Sequence, residues 1–325
     1  MSGKSFAALG LIWVLFSPAA WSQSLLFQEL YRSKTEPQFH ASHKHATSAW
    51  NSPLGKHSTS EFSLTSQKLK CEFLKECSYK VQANYTLENF EKQASFGDQL
   101  EDPDFRGLLS WEGDHRYLME FGVNSPSDQP FHSFDETTIS FNAVWAPLGN
   151  LIRRKENYWL FVANYSSTRS FLPGIPLPGF VYVIPTESGW TYSLGAPFLT
   201  VSYVNFPKWN FRVTGGPYFY STQLSYGPPF FNGGIESSWR QSSYFLYQRT
   251  NSDERIYLDE KELAAFLKAP VHRKVMAELK VAYVYDQKLK TGESYSRTTQ
   301  TDLQLGQSAV IWLKIRASLD SPVNR

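Results

Sequence analysis

The sequence predicts an all-β fold, an antiparallel up-and-down membrane β-barrel of about 12 strands (roughly 10 to 14) with one short loop helix. Three observations lead there. Residues 190–226 alternate apolar and polar side chains run after run, with no helical period. The chain opens like an export signal, and no later stretch reaches the roughly 20 apolar residues a membrane-crossing helix needs. Aromatic residues make up 16% of the chain and are spread through the alternating runs instead of gathering in one segment.

The central stretch shows the pattern most clearly. Trp190, Tyr192 and Leu194 alternate with Thr191, Ser193 and Gly195; Leu199, Val201 and Tyr203 alternate with Thr200 and Ser202. Asn205-Phe206-Pro207-Lys208 is a turn signal, after which Trp209, Phe211 and Val213 oppose Asn210, Arg212 and Thr214. Beyond Gly215-Gly216-Pro217, Tyr218, Tyr220, Leu224 and Tyr226 oppose Phe219, Ser221, Gln223 and Ser225. Runs of this kind bounded by Gly, Pro and Asn read as strands with one apolar and one polar face.

Residues 1–22 carry Lys4, an apolar core and small residues at Ala20 and Ser22, the form of a cleaved signal peptide. Loss of Lys4, the one charge in that segment, lowers the formal charge from +2 to +1. A balanced charge without a basic tract excludes a nucleic-acid partner. Residues 23–59 are polar, contain His40, His43, His45 and His57, and show no period; the expectation is a poorly ordered extension with at most a short helix over residues 25–31. Four histidines without carboxylate or thiolate support are read as solvated, so no metal and no cofactor is expected.

A single domain is expected over residues 60–319, with 320–325 as a tail. Phe62 and Leu64 begin the first strand; Tyr79, Val81, Ala83, Tyr85 and Leu87 mark the second, followed by a long polar connection over residues 88–104. Phe105, Leu109 and Trp111 and then Tyr117, Met119, Phe121 and Val123 read as a hairpin around Glu112-Gly113-Asp114; Ile139, Phe141, Ala143 and Trp145 follow. Residues 158–165 and 180–184 are apolar on both faces, which fits strands touching a plug as well as lipid, or buried strands of a soluble sandwich. Residues 259–268 read as a loop helix, with Asp259 as N-cap, Glu262 three residues on, Leu263, Phe266 and Leu267 on one face and Pro270 as the stop. Val275, Ala277, Leu279, Val281, Tyr283 and Tyr285 form the cleanest long strand, opposite Glu278 and Lys280, and two more strands fill residues 296–305 and 309–319.

Cys71 and Cys77 are the two cysteines of the chain and flank a short turn between alternating runs. In an oxidising compartment they are expected to form a disulfide. Charges on strand faces select the candidate site. Lys80, Arg212, Glu236, Arg240, Glu278 and Lys280 lie opposite apolar residues, and because a Lys or Arg facing mid-bilayer costs about 2–4 kcal/mol they are expected to point into the lumen. There they serve either as a salt-bridge network or as a polar path for small solutes or ions. Trp190, Trp209, Tyr218 and Tyr226 fit interfacial girdles.

No hydrolase elbow, His-Glu-x-x-His, phosphate loop or cysteine quartet is present, and His115 or His132 beside Ser110, Ser133 or Ser140 has no spacing that sets it apart; the chain is not expected to be an enzyme. The competing expectation is a soluble periplasmic or secreted β-sandwich that binds a carbohydrate or a protein.

The signal peptide, the run Trp190-Thr191-Tyr192-Ser193-Leu194-Gly195-Ala196-Pro197 with residues 199–203, the stretch Gly215-Gly216-Pro217-Tyr218 and the aromatic strands up to Tyr285 resemble bacterial outer-membrane β-barrel proteins, in particular the uncharacterised porin-like barrels of Gram-negative bacteria. The resemblance covers residues 60–319 and implies an outer-membrane location, a lipid environment, insertion by the barrel-assembly machinery, and a porin-like or structural surface role. It departs at the carboxyl end, where residues 320–325 follow the last alternating run without a terminal aromatic residue, so residues 309–319 are the expected internal form of the assembly signal.

Overall fold

The computed structural model describes residues 37–318 except 51–52, 73–75, 95–96, 114, 148–155, 169–173, 197–198, 205–207, 217–218, 229, 248, 250–253, 295–296 and 299–302. The expected signal peptide, the short helix over residues 25–31 and the girdle residue Tyr218 lie outside them.

Sixteen strands among the described residues form one closed antiparallel sheet. They are β1 Gln38–Trp50, β2 His57–Thr65, β3 Cys77–Ala94, β4 Gly97–Glu112, β5 Arg116–Asn124, β6 Thr138–Ala146, β7 Tyr158–Ser166 and β8 Leu177–Pro185, then β9 Trp190–Ala196, β10 Leu199–Val204, β11 Trp209–Gly216, β12 Phe219–Tyr226, β13 Asn232–Phe245, β14 Arg255–His272, β15 Val275–Ser294 and β16 Leu303–Ser318. Each pairs with its sequence neighbours, and β1 closes the ring on β16, Gln38 opposite Ser318 and Trp50 opposite Gln307. The two-residue stretches Leu69–Lys70 and Arg297–Thr298 lengthen the ladders of β3 and β15. Closure satisfies every edge, which a bilayer demands of any sheet within it.

Four expectations are corrected here. The strand number is sixteen, beyond the predicted 10 to 14. Residues 38–50 of the expected flexible extension are β1, and the barrel wall starts at Gln38, not at residue 60. The expected helix over residues 259–268 is the middle of β14, paired on both sides with β13 and β15. Its good helix formers carry a second period as well: Glu260, Glu262, Ala264 and Phe266 are buried on one face, whereas Leu263 and Leu267 are half exposed on the other. Helix propensity amounts to a few tenths of a kcal/mol per residue, and two unbroken ladders override it. The polar connection over residues 88–104 is likewise wall, since β3 and β4 run on through it.

Outward side chains are apolar around the ring. Phe62, Val81, Phe105, Phe121, Trp159, Phe180, Ile235, Leu263, Val281 and Ile311 are all exposed. Trp209 and Tyr226 pack with tilted rings, centroids 5.0 Å apart, at the end of the barrel that holds Gln38 and Ser318, here termed the terminal end. Toward the far end the Tyr220 and Tyr285 hydroxyls meet at 3.1 Å, with Trp239 beside Tyr220. Beyond Tyr285 the surface turns polar, where Asp286 takes Lys261 at 2.6 Å and Lys288 at 3.2 Å. A register shift between Val284 and Gln287 leaves both of these side chains buried, so a bulge at Tyr285 and Asp286 resets the inward face at that level. No helix among the described residues is long and apolar enough to cross a membrane, and the strands are what form this shell.

Close backbone approach sets one position directly. A Cβ on Gly234 in β13 would collide with the Leu224 carbonyl oxygen of β12, so only glycine fits there.

The sheet is one closed ring, which sets aside the two-sheet sandwich. The strands apolar on both faces, β7 and β8, point Trp159, Phe161 and Phe180 outward and pack Leu160, Val162, Val181 and Val183 inward with Leu118 and Val144. Leu177 and Phe219 extend this inner cluster. Cys71 and Cys77 are joined as a disulfide with Cα atoms 5.3 Å apart, and Cys71 N–H donates to the Cys77 carbonyl at 3.0 Å.

Candidate functional site in the lumen

Strand parity places all six predicted residues on the inward face. Lys80 and Lys280 are almost fully buried; Glu236, Arg240 and Glu278 are partly buried; Arg212 is exposed beside Ser202 and Gln223. Five of them belong to the wall from β11 to β15. Lys280 Nζ lies 3.1 Å from Glu236 Oε1 and also bonds Glu262, and Glu278 Oε2 accepts Lys268 at 3.4 Å. Arg240 reaches Glu61 at 3.6 Å and Glu260 at 3.5 Å. Because β14, β15, β16 and β1 intervene between Arg240 on β13 and Glu61 on β2, this pair crosses the lumen. Lys80 lies instead on β3, next to Leu108.

The centre of the network was not among the predicted residues. Lys44 bonds Glu260 and stands 3.7 Å from Glu262. Around the Trp312 ring gather Lys314, Lys280, Lys44 and Arg240, with the cations 4.0, 4.6, 5.5 and 5.6 Å from its centroid. Four cations on one indole need nearby anions, which Glu236, Glu260 and Glu262 supply. Toward the far end Glu88 accepts from Thr59 at 2.6 Å and pairs with His57 at 2.7 Å, while Gln287 bridges His57 and Glu260 at 2.9 and 3.0 Å. The residues missed by sequence reasoning were visible in one signal, the period of two in Glu260, Glu262, Ala264 and Phe266 and in Val310, Trp312, Lys314 and Arg316. The first lies in the stretch that reads as a helix, the second in the last alternating run, residues 309–319. His57 and His40, expected in a flexible segment, sit on β2 and β1, and His43 meets Ser60 Oγ at 2.9 Å.

A second polar belt runs around the opposite wall. Gln82 donates to Asn84 at 2.6 Å, Asn84 to Asp104 at 3.0 Å, and Arg106 to Asp104 at 2.7 Å. Glu120 accepts from Asn142 at 3.1 Å, and Asn142 from Asn164 at 2.6 Å. Between the charge network and the terminal end lies a cavity of about 420 Å³, lined by residues of β1, β2, β3 and β12 to β16.

The far end is closed over. Leu54, Phe90, Leu100, Tyr244, Ile256, Leu258, Leu289 and Leu305 form one buried apolar cluster that joins β3 and β4 to β13 through β16. The connection after β5 lies across it, with Ser127 bridging Glu101 on one side and Phe245 on the other. Tyr247 N–H donates to Asp128 Oδ1 at 2.8 Å.

His115, His132 and Ser110 each have a partner other than one another. His115 Nδ1 meets the Pro147 carbonyl at 2.6 Å, His132 packs edge-on to Tyr247, and Ser110 Oγ bonds Ser78 Oγ at 2.7 Å. Among the described residues no group of three potential metal ligands converges.

No family model and no curated protein matches this sequence. Solved structures with similar folds include a bacterial polysaccharide outer-membrane secretin (6% identity, TM-score 0.39, covering 89% of this chain and 100% of that one). An outer-membrane channel from Pseudomonas putida F1 aligns at 8% identity and TM-score 0.37 over 89% of this chain and 97% of its own. The toluene transporter of P. putida aligns at 8% identity and TM-score 0.35 over 95% and 94%. These likenesses are too distant to speak for function.

Proposed function

We propose that this chain is an integral β-barrel of a bacterial outer membrane and forms a narrow, charge-lined channel for small solutes or ions. The observation that carries the reading is a lumenal cavity edged by Arg240, Glu236 and Lys280 inside a ring whose exposed outward residues are apolar. A sixteen-strand ring is wide enough for an aqueous bore. Here inward charges and the apolar cluster at the far end narrow it. Lys80, Arg212 and Glu278 complete the proposed lining, with outer-membrane lipid and the barrel-assembly machinery as partners. The export signal expected over residues 1–22 supports the location.

Two measurements test this. Fractionation should place the protein in the detergent-extracted outer membrane with heat-modifiable migration, and recovery in the soluble periplasm would overturn the location. Planar bilayers should show small unitary currents. Silence of the wild type and of variants opened at the far end would favour a structural surface role instead.

A further inference from the structure

The lumenal cavity is polar yet incompletely satisfied. Trp312 is 5% exposed, and its indole Nε1 has no hydrogen-bond partner. Gln82 Oε1 is a buried atom in the same condition, and Arg240 Nη2 and Glu262 Oε2 have only ion-pair contacts, 3.5 Å to Glu260 and 3.7 Å to Lys44; all four residues line this one cavity. Folded proteins hold few such atoms, because each sacrifices hydration without return. Their convergence on one space points to a guest that supplies the missing bonds.

The chemistry of that guest can be read from the donors. Two of these four groups donate and two accept. Lys314 and Arg316 line the same cavity and form no salt bridge among the described residues, whereas the cavity's carboxylates Glu61, Glu236 and Glu262 are already faced by Arg240, Lys280 and Lys44. Donors and positive charge are therefore in surplus, and a few acceptors remain for hydroxyl groups. Phe219 supplies apolar surface for a short carbon chain.

We propose that this cavity binds small hydroxylated carboxylates. Lys314 and Arg316 hold the carboxylate, the indole Nε1 of Trp312 and the guanidinium of Arg240 donate to oxygens along the chain, and Gln82 and Glu262 accept from hydroxyls. The proposal rests on the channel reading only for the route of entry from the terminal end; binding itself does not need conduction.

Isothermal titration of the full chain in detergent with gluconate, sorbitol and glucosamine compares anionic, neutral and cationic six-carbon chains. Gluconate should bind, sorbitol about tenfold or more weakly for want of a charge-assisted contact, and glucosamine not at all. Lys314→Gln and Trp312→Phe should each weaken gluconate about tenfold. The second keeps an aromatic ring for the surrounding cations, and heat-modifiable migration verifies that each variant is folded. Equal binding of gluconate and sorbitol, no heat from folded wild type, or gluconate binding unchanged in both variants would overturn the assignment. Gluconate binding in a protein silent in bilayers would refute the channel and leave this site standing. Currents without gluconate binding would do the reverse.

Discussion

Arg249 and Glu136 are 113 residues apart in sequence, yet Arg249 Nη1 donates to Glu136 Oε1 at 3.2 Å. Their side chains are 7% and 1% exposed, so the pair is shielded from water. Arg249 follows β13 and Glu136 ends the connection between β5 and β6, so the contact ties opposite sides of the far end. Removing one partner of a buried pair strands the other charge, at about 3–5 kcal/mol. Glu136→Gln is therefore expected to loosen this closure without dissolving the ring. Amide exchange should rise at Ser127 and Phe245 while β14 and β15 stay protected, and bilayer openings should become longer and several-fold more frequent. Unchanged exchange at those two amides would show that the apolar cluster alone holds the end shut.

Fixed charge in the lumen should set ion preference. Arg212 is exposed on the inward face between Ser202 and Gln223 and forms no ion pair among the described residues, so reversal to Glu tests the field alone. Arg212→Glu should move the reversal potential in a salt gradient toward cations, most strongly at low ionic strength because the screening length is about 10 Å at 0.1 M. Arg240→Glu should shift it further but also weaken folding, since it would set a third carboxylate beside Glu61 and Glu260.

Lys280 stabilises two carboxylates at once. Lys280→Met leaves Glu236 without that partner and Glu262 with only the more distant Lys44 at 3.7 Å. The loss expected is about 3–5 kcal/mol, read as a lower temperature for conversion of the folded to the unfolded gel band. Adding Glu262→Gln should recover part of it, because the two residues are coupled. Additive losses would show that the pair is not interacting in the membrane.

The outward face makes an opposite demand. Val281 is 55% exposed between Ala265 and Ile311 on the outer surface. Val281→Arg should destabilise insertion by about 2–4 kcal/mol if this level lies at mid-bilayer. Thr214→Arg, on the inner face of β11, should be tolerated. Equal tolerance of both, scored by folding into vesicles, would contradict a lipid-facing belt.

The Cys71–Cys77 disulfide closes a short loop, with a sequence separation of 6. Chain entropy assigns such a loop about 2 kcal/mol at most, so Cys71→Ser is expected to leave the melting of the barrel nearly unchanged. Hydrogen exchange should rise in the ladder of Leu69–Lys70 on β3, and a collapse of the whole barrel would contradict a local role.

Alternation by itself determined that the chain is all-β, that Lys80, Arg212, Glu236, Arg240, Glu278 and Lys280 share the inner face, and that Cys71 and Cys77 are close enough to pair. These are local properties, because a strand's two faces follow from the pleat and a six-residue loop from chain length. Strand number, the start of the wall at Gln38 and the strand identity of residues 259–268 were decided by pairing, since a stretch rich in Glu, Lys, Ala and Leu is committed only by the ladders on either side. The centre of the charge network was decided last of all. Lys44 and Glu260 are brought together, and Arg240 meets Glu61 across the lumen, only when β1 closes on β16, and no period within one strand records which distant strand its inner face will meet.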